Sequence, residues 1–504
     1  MQPSVGGPAT RAVRLVIVGG GFSGIGMAVR LRQQGIDDFV ILERARELGG
    51  TWRDNSYPGC ACDVQSALYS FSFAPNPDWS RSFSPQGEIW SYLRRCATAH
   101  DIDRHVVYDA ELTGAVWDAR HGEWQIESAA GRWRARALIL ANGPLSDPVR
   151  PSLAGIERFA GPIFHSAQWA HDVPLGGARV AVIGTGASAI QFVPRIQPAV
   201  ARLHLFQRTP PWIMPRNDHA IPAWRRALYR RWPLTQRVGR AALYAQREMM
   251  FFPFRHRGAA RVVEWLAKRH LTTQVPDPEL RQRLTPQYHI GCKRILLSDD
   301  YLPAMSSPNV ELVTDRIVEV RSTAIVTADG RARDVGVIVF ATGFRATDPP
   351  LAPLIRGRGG VSLADSWEAS PAAYMGTTTS GFPNLFFLLG PNTGLGHSSV
   401  VLMIEAQIEH ILQVLAMAER RGDVAIEPSA EAQERYVRWL DDRLAPTVWN
   451  RGGCKSWYLD ATGRNSALWP YRVGRFSRVV KRVRRADYVA VDRPPLAAVQ
   501  GRVP

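Results

Sequence analysis

Cysteine is scarce in this sequence: five in 504 residues, at 60, 62, 96, 292 and 454. They show neither the density of a disulfide framework nor the paired CxxC spacing of a zinc site. All five are therefore read as reduced and mostly structural, and no metal site is expected. Long apolar runs are missing too. No stretch approaches the ~20 residues that span a bilayer, and residues 1–13 lack the hydrophobic centre of a signal peptide, so a cytoplasmic protein is expected. Acidic residues are outnumbered, 45 Asp and Glu against 62 Lys and Arg, for a net charge of +17. The excess lies in two places. Residues 224–270 carry eleven Arg and one Lys against Glu248 and Glu264, and residues 472–485 carry seven basic residues and no acid. Neither segment has the pattern of a helix-turn-helix, an RNA-recognition motif or a zinc finger, which excludes nucleic acid as the expected partner. The first also carries Trp224, Tyr229, Trp232, Tyr244, Phe251, Phe252, Phe254 and Trp265. That basic-aromatic mixture suits peripheral contact with a phospholipid surface at the inner membrane face, against the blander alternative of a solvated helical face.

What is present is glycine in a particular order. At 45% hydrophobic and 21% charged the chain is an ordinary folded globular protein, long enough for two or three domains. Gly19-x-Gly21-x-x-Gly24 and Gly184-x-Gly186-x-x-Ala189 each follow a short β-branched run, 14–18 and 179–183, and each leads into an apolar helical pattern. Such glycines let backbone N–H groups approach a pyrophosphate whose charge the helix N-terminus favours. The residue 24 positions after the first glycine reads the ribose, and it differs between the two: Glu43 suits an unmodified ribose, while Arg208 suits a 2′-phosphate. The pattern predicts an α/β fold of two dinucleotide-binding, Rossmann-like domains, one for FAD or NAD and one for NADPH. The order of parts is a disordered N-terminus at 1–12, a first domain from 13–145 and 383–504, and a linker at 146–177. A second domain from 178–215 and 291–382 is interrupted by a helical insertion at 216–290.

Further motifs carry a family resemblance. Phe159-x-Gly161-x-x-x-His165-x-x-x-Trp169 resembles the fingerprint of type I Baeyer–Villiger monooxygenases, and the stretch from Gly49 to Asp63, with Gly50, Trp52, Tyr57, Pro58 and Gly59, is similar to that family's second signature. The likeness extends through Gln207 to Pro210, Lys293-Arg294, Ala341-Thr342-Gly343 and Ser456-Trp457-Tyr458. Ala170 departs from it, where Pro or Asp is usual, and so does Gly336, where Asp is common.

The resemblance implies that NADPH reduces FAD, that O2 gives a C4a-peroxyflavin, and that a ketone becomes an ester or lactone. An amine or sulfide oxygenase is the alternative within the same wider class, and a flavin-binding membrane-surface protein without turnover is the alternative outside it. Under this reading Arg294 is the catalytic cation, because a guanidinium stays charged beside a reduced flavin, and Asp63 is the carboxylate that orients it. Gly19, Gly21, Gly24, Glu43, Gly50, Thr51, Trp52, Tyr57 and Asp63 are expected around FAD. Gly184, Gly186, Ser188, Gln191, Arg208, Thr209, Lys293, Ala341, Thr342 and Gly343 are expected around NADPH. His165 is expected as a contact between domains that answers to the nicotinamide cofactor, not as a proton-transfer group. Asn392 lies in the glycine-rich stretch 390–397 that feeds a helix N-terminus and is expected at the flavin's pyrimidine end, and Trp457 is expected to reach the nicotinamide ribose. The aromatics of the insertion favour a small lipophilic ketone as substrate, with O2.

Overall fold

The structure is a computed structural model in which residues 10–422 and 425–491 are described. Its first sheet is built on β1 (Arg11–Val18), which runs directly into the first glycine loop and the almost wholly buried helix α1 (Phe22–Gln33). The run RLVIV forms a strand because its β-branched side chains fit a pleat buried on both faces. The sheet continues with β2 (Phe39–Leu42), β3 (Val106–Val107), β4 (Leu112–Asp118), β5 (Glu123–Ser128) and β6 (Gly131–Leu140). Between β2 and β3 lie the short helix α2 (Thr51–Asp54) and helix α3 (Gln86–Ala99).

The second sheet is wholly parallel. It contains β7 (Ile163–His165), β8 (Arg179–Ile183) and β9 (Arg202–Phe206), with helix α4 (Ala189–Ile196) after the second glycine loop. The pair β10 (Ile213–Met214) and β11 (Leu296–Leu297) closes the base of the insertion, whose helices are α5 (Ala223–Arg231), α6 (Pro233–Met249), α7 (Arg257–Gln274) and α8 (Pro278–Arg283). After it come β12 (Val310–Val313), an antiparallel trio β13 (Ile317–Val320), β14 (Ala324–Thr327) and β15 (Ala332–Asp334), and β16 (Val337–Phe340). The strand order is β12-β9-β8-β16-β7. Last, β17 (Ile355–Arg356) pairs with β4, and β18 (Leu385–Phe387) pairs in parallel with β6, both in the first sheet.

Register decides where ligands go. Val18, Leu42, Leu140 and Phe387 stand level in the first sheet, and Ile183, Phe206, Val313, Phe340 and His165 stand level in the second. The loops that follow these parallel strands therefore emerge at the carboxyl edge of each sheet, where open α/β sheets bind their ligands, while β5 runs antiparallel between β4 and β6.

Five expectations need correction. The segment 146–177 is not only a linker, because β7 inside it forms an edge of the second sheet. The chain is back in the first sheet by Ile355, ahead of the expected return at 383, because β17 needs only two residues to pair with β4. The N-terminus at 1–12 already includes Arg11 and Ala12 of β1, while 1–9 lie outside the described residues. One helix, Val400–Arg421, is long and apolar enough to cross a membrane, though Glu405 and Glu409 interrupt its run. It buries twelve residues in the core and packs on α1 and on the C-terminal helix Val473–Val480. Finally, Cys292 and Cys454 form a disulfide, with Cα atoms 6.2 Å apart and a sequence separation of 162. Spacing rules see only near neighbours, so a pair brought together by the insertion and the C-terminal segment was invisible to them. Cys60, Cys62 and Cys96 are free and buried.

Candidate active site

A cavity of ≈ 1420 Å³ lies along the carboxyl edges of both sheets. Both glycine loops line it. The first is a cradle that only glycine permits: a Cβ on Gly24 would sit 1.9 Å from the Gly19 carbonyl oxygen, so α1 could not press onto β1. In the second, Gly184 has φ +110° and a Cβ there would meet the Ala341 carbonyl oxygen at 2.4 Å. Such close approach leaves the N–H groups of each loop facing a pyrophosphate-sized space.

Glu43 is 3% exposed and already held. One carboxylate oxygen accepts from the Gly20 N–H at 2.7 Å, and the other from the Ala45 N–H and Arg53 Nη1, both at 2.9 Å. Around it are Gly50, Thr51 and Trp52, whose indole N–H donates to the Tyr69 hydroxyl at 3.1 Å. At the far end, Lys293 and Arg208 converge with Thr209. Burial and then the charge of Arg208 lower the Lys293 ammonium from its ordinary value. Two cations with no ion-pair partner among the described residues make a receptor for a dianionic phosphate.

Tyr57, from the second signature, ties the units together. Its hydroxyl donates to Gln191 Oε1 on α4 at 3.0 Å, and the same amide pairs with the Ala61 backbone, accepting at 3.2 Å and donating at 3.0 Å. Between the cradles stands the central pair. Arg294 donates to Asp63 in a bidentate fork, Nε to Oδ2 at 2.5 Å and Nη2 to Oδ1 at 2.8 Å, while Nη1 faces the Leu395 carbonyl at 3.3 Å. Burial alone would raise the Asp63 carboxyl, but the Arg294 charge and hydrogen bonds outweigh it and hold it below the usual carboxylate range. Burial likewise opposes the guanidinium charge, and Asp63 prevails, so Arg294 stays ionised. The buried Tyr458 phenol beside them is pushed up to about 12 by burial, against the pull of Arg294.

Of the residues expected from sequence, all but Gly24, His165 and Asn392 line this cavity. Gly24 packs the helix on the strand. His165 is 1% exposed, its Nδ1 accepts from the Ala167 N–H at 3.1 Å, and burial with Arg150 nearby lowers it to about 4, leaving a neutral ring against Phe344. Asn392 does not line the cavity: its side-chain amide donates to the Asn465 and Leu468 carbonyls and accepts from Arg464, which ties its loop to residues 464–468. Trp457 is 48% exposed at the cavity wall.

Sequence reasoning missed Arg247 and Arg216. Arg247 reaches in from α6 to bond Gln65 at 2.7 Å and feels the Asp63 charge, and Arg216 bonds the Cys62 carbonyl at 3.2 Å. The signal for the first was available: Arg240 and Arg247 are seven apart, hence on one helix face.

Residues 12–356 match the flavin-binding monooxygenase-like family model. The chain belongs to that family. It is 49% identical over 489 residues to a Baeyer–Villiger monooxygenase of Streptomyces coelicolor, covering 97% of this chain and 94% of the relative. It is 49% identical over 495 residues to a Baeyer–Villiger monooxygenase of Pseudomonas aeruginosa, with the same coverage of 97% and 94%. Among solved structures it is similar to cyclohexanone monooxygenase from Rhodococcus sp. Phi1 bound to NADP+, with a TM-score of 0.85 and 28% identity over 96% of this chain and 99% of that one. The two cradles fit what this family holds: a flavin dinucleotide at the Glu43 loop and a phosphorylated nicotinamide dinucleotide at Arg208 and Lys293.

Proposed function

We propose that the protein is an FAD- and NADPH-dependent monooxygenase of the Baeyer–Villiger type, converting a lipophilic ketone, O2, NADPH and a proton into an ester or lactone, NADP+ and water. The observation that carries this reading is the bidentate Asp63–Arg294 pair between the two dinucleotide cradles. Bound FAD, once reduced, supplies the activated oxygen.

The chain's own residues do the rest. Glu43 and the first glycine loop fix the flavin's ribose and pyrophosphate. Arg208 and Lys293 select the 2′-phosphate of the second cofactor. Arg294 presents a guanidinium that stays charged where negative charge develops on oxygen, and Asp63 aims it without reorganisation during the reaction. Leu395, Val401, Ile404 and Leu468 in the cavity wall limit water, whose entry would divert oxygen to hydrogen peroxide. The test is product analysis with a ketone and, separately, with a sulfide. Ester from the ketone supports the reading; turnover of the sulfide alone would move the protein to the heteroatom-oxidising branch. We also propose that residues 224–270 and 472–485 contact a membrane peripherally, where a lipophilic ketone is concentrated.

A further inference from the structure

Helix α6 is held largely by polar groups. On its inward face Gln236 donates to the Asn76 carbonyl at 2.7 Å, Arg240 bonds the Ala67 carbonyl and the Ser70 hydroxyl, and Arg247 bonds Gln65, while Leu243 and Tyr244 pack against the core. Its outward face is apolar. Leu234, Val238 and Met249 are 69%, 61% and 65% exposed and recur with Ala241 and Ala245 at helical spacing. The stripe runs roughly 22 Å along the helix and continues through Met250 and Phe252, each 50% exposed. An uninterrupted apolar face of this length turned to water is what an unmet partner leaves behind.

Charge says which partner. The two acids of 224–270 both point inward: Glu248 accepts from the Val473 and Gly474 N–H groups at 3.0 and 3.2 Å, and Glu264 accepts from the Ile290 N–H at 3.0 Å. The outward charge of the segment is therefore entirely basic. Beside Phe252 a second cavity of ≈ 400 Å³ is lined by Arg255, Arg472, Arg475 and Arg478 and by Glu248, whose carboxylate is taken up by the Val473 and Gly474 N–H groups; none of the four arginines forms an ion pair among the described residues. Arg475 stacks 3.7 Å from the Tyr471 ring centroid and Arg255 lies 5.2 Å from it, so both planes are held open to an anion. A second copy of this chain would set arginine against arginine, and nucleic acid would have no use for the apolar stripe.

We infer that the outward face of α6 with the four-arginine cavity is a docking surface for an anionic phospholipid bilayer, the stripe entering the acyl boundary and the cavity taking a headgroup phosphate. This rests on the proposed membrane contact and assigns it to particular residues. It joins the two basic segments, which lie far apart in sequence, into one surface.

The test is co-sedimentation of the holoenzyme with phosphatidylcholine vesicles, with and without phosphatidylglycerol, for the wild type and two variants. One is Val238→Asp with Met249→Asp; the other is Arg475→Glu with Arg478→Glu. NADPH oxidation in solution reports that each variant is folded. The expected result is a bound fraction about tenfold higher on the anionic vesicles and lost in both variants. Equal sedimentation of wild type and variants would overturn this surface while leaving membrane contact standing. No sedimentation with any vesicle would overturn both. Binding to polyglutamate without binding to vesicles, or a dimer dispersed by Val238→Asp, would identify an acidic protein or a second copy instead and end the lipid assignment.

Discussion

The two glycine cradles share a backbone plan and differ in how they finish it. In the first, the ribose-reading group is a carboxylate that is 3% exposed and already accepts three hydrogen bonds from its own chain. In the second, Arg208 is exposed and its charge acts on another cation, Lys293. A preorganised acceptor behind buried loops suits a cofactor that stays, because little order has to be created on binding. Two cations with no ion-pair partner among the described residues suit one that must enter and leave at each turnover, since long-range attraction speeds encounter. The same fold thus supports a resident and a visiting dinucleotide.

The comparison is tested most severely where the cradles meet. Arg294→Ala should lower ester formation by about 10²- to 10³-fold, the usual cost of losing one preorganised charge-stabilising donor. NADPH oxidation should continue with release of hydrogen peroxide. Comparable rates of ester formation and NADPH oxidation, followed by gas chromatography and absorbance, would show that the pair does not act on oxygen. Next in size, Arg208→Ala should raise KM for NADPH by roughly 10- to 100-fold and leave that for NADH nearly unchanged. An equal rise for both would break the contrast between the cradles. Glu43→Gln probes the other side. It keeps the shape and removes the charge facing Arg53, so flavin retention on gel filtration should weaken by about tenfold, with the NADPH preference untouched.

How much of this was legible depended on distance along the chain. The strand, glycine loop and helix of each unit could be read because their rules span fewer than thirty residues, and the offset from Gly19 to Glu43 or from Gly184 to Arg208 is of that kind. The Asp63–Arg294 fork was open only to resemblance, since 231 residues separate the partners. The disulfide between Cys292 and Cys454 had no local signature at all. Asn392 shows the same limit from another side. Its glycine-rich loop before a helix was legible, but the engagement of its amide by residues 464–468, some seventy positions on, was not. The early return of the chain to β4 was hidden because a two-residue strand leaves no periodicity to detect.

The smallest expected effect concerns pH and separates Lys293 from Arg208. Burial and the Arg208 charge lower the Lys293 ammonium, so in the free enzyme it loses its proton at a pH below the ordinary lysine range. An arginine guanidinium does not titrate over such an interval. As pH rises through that transition the phosphate loses one of its two cations, and KM for NADPH should climb a few-fold. KM for NADH, which has no 2′-phosphate to hold, should stay level over the same interval. Lys293→Arg removes the titration and keeps the charge, so it should flatten the NADPH profile. A profile that climbs equally in that variant would mean the pH dependence arises elsewhere, and that Arg208 alone distinguishes the visiting cradle from the resident one.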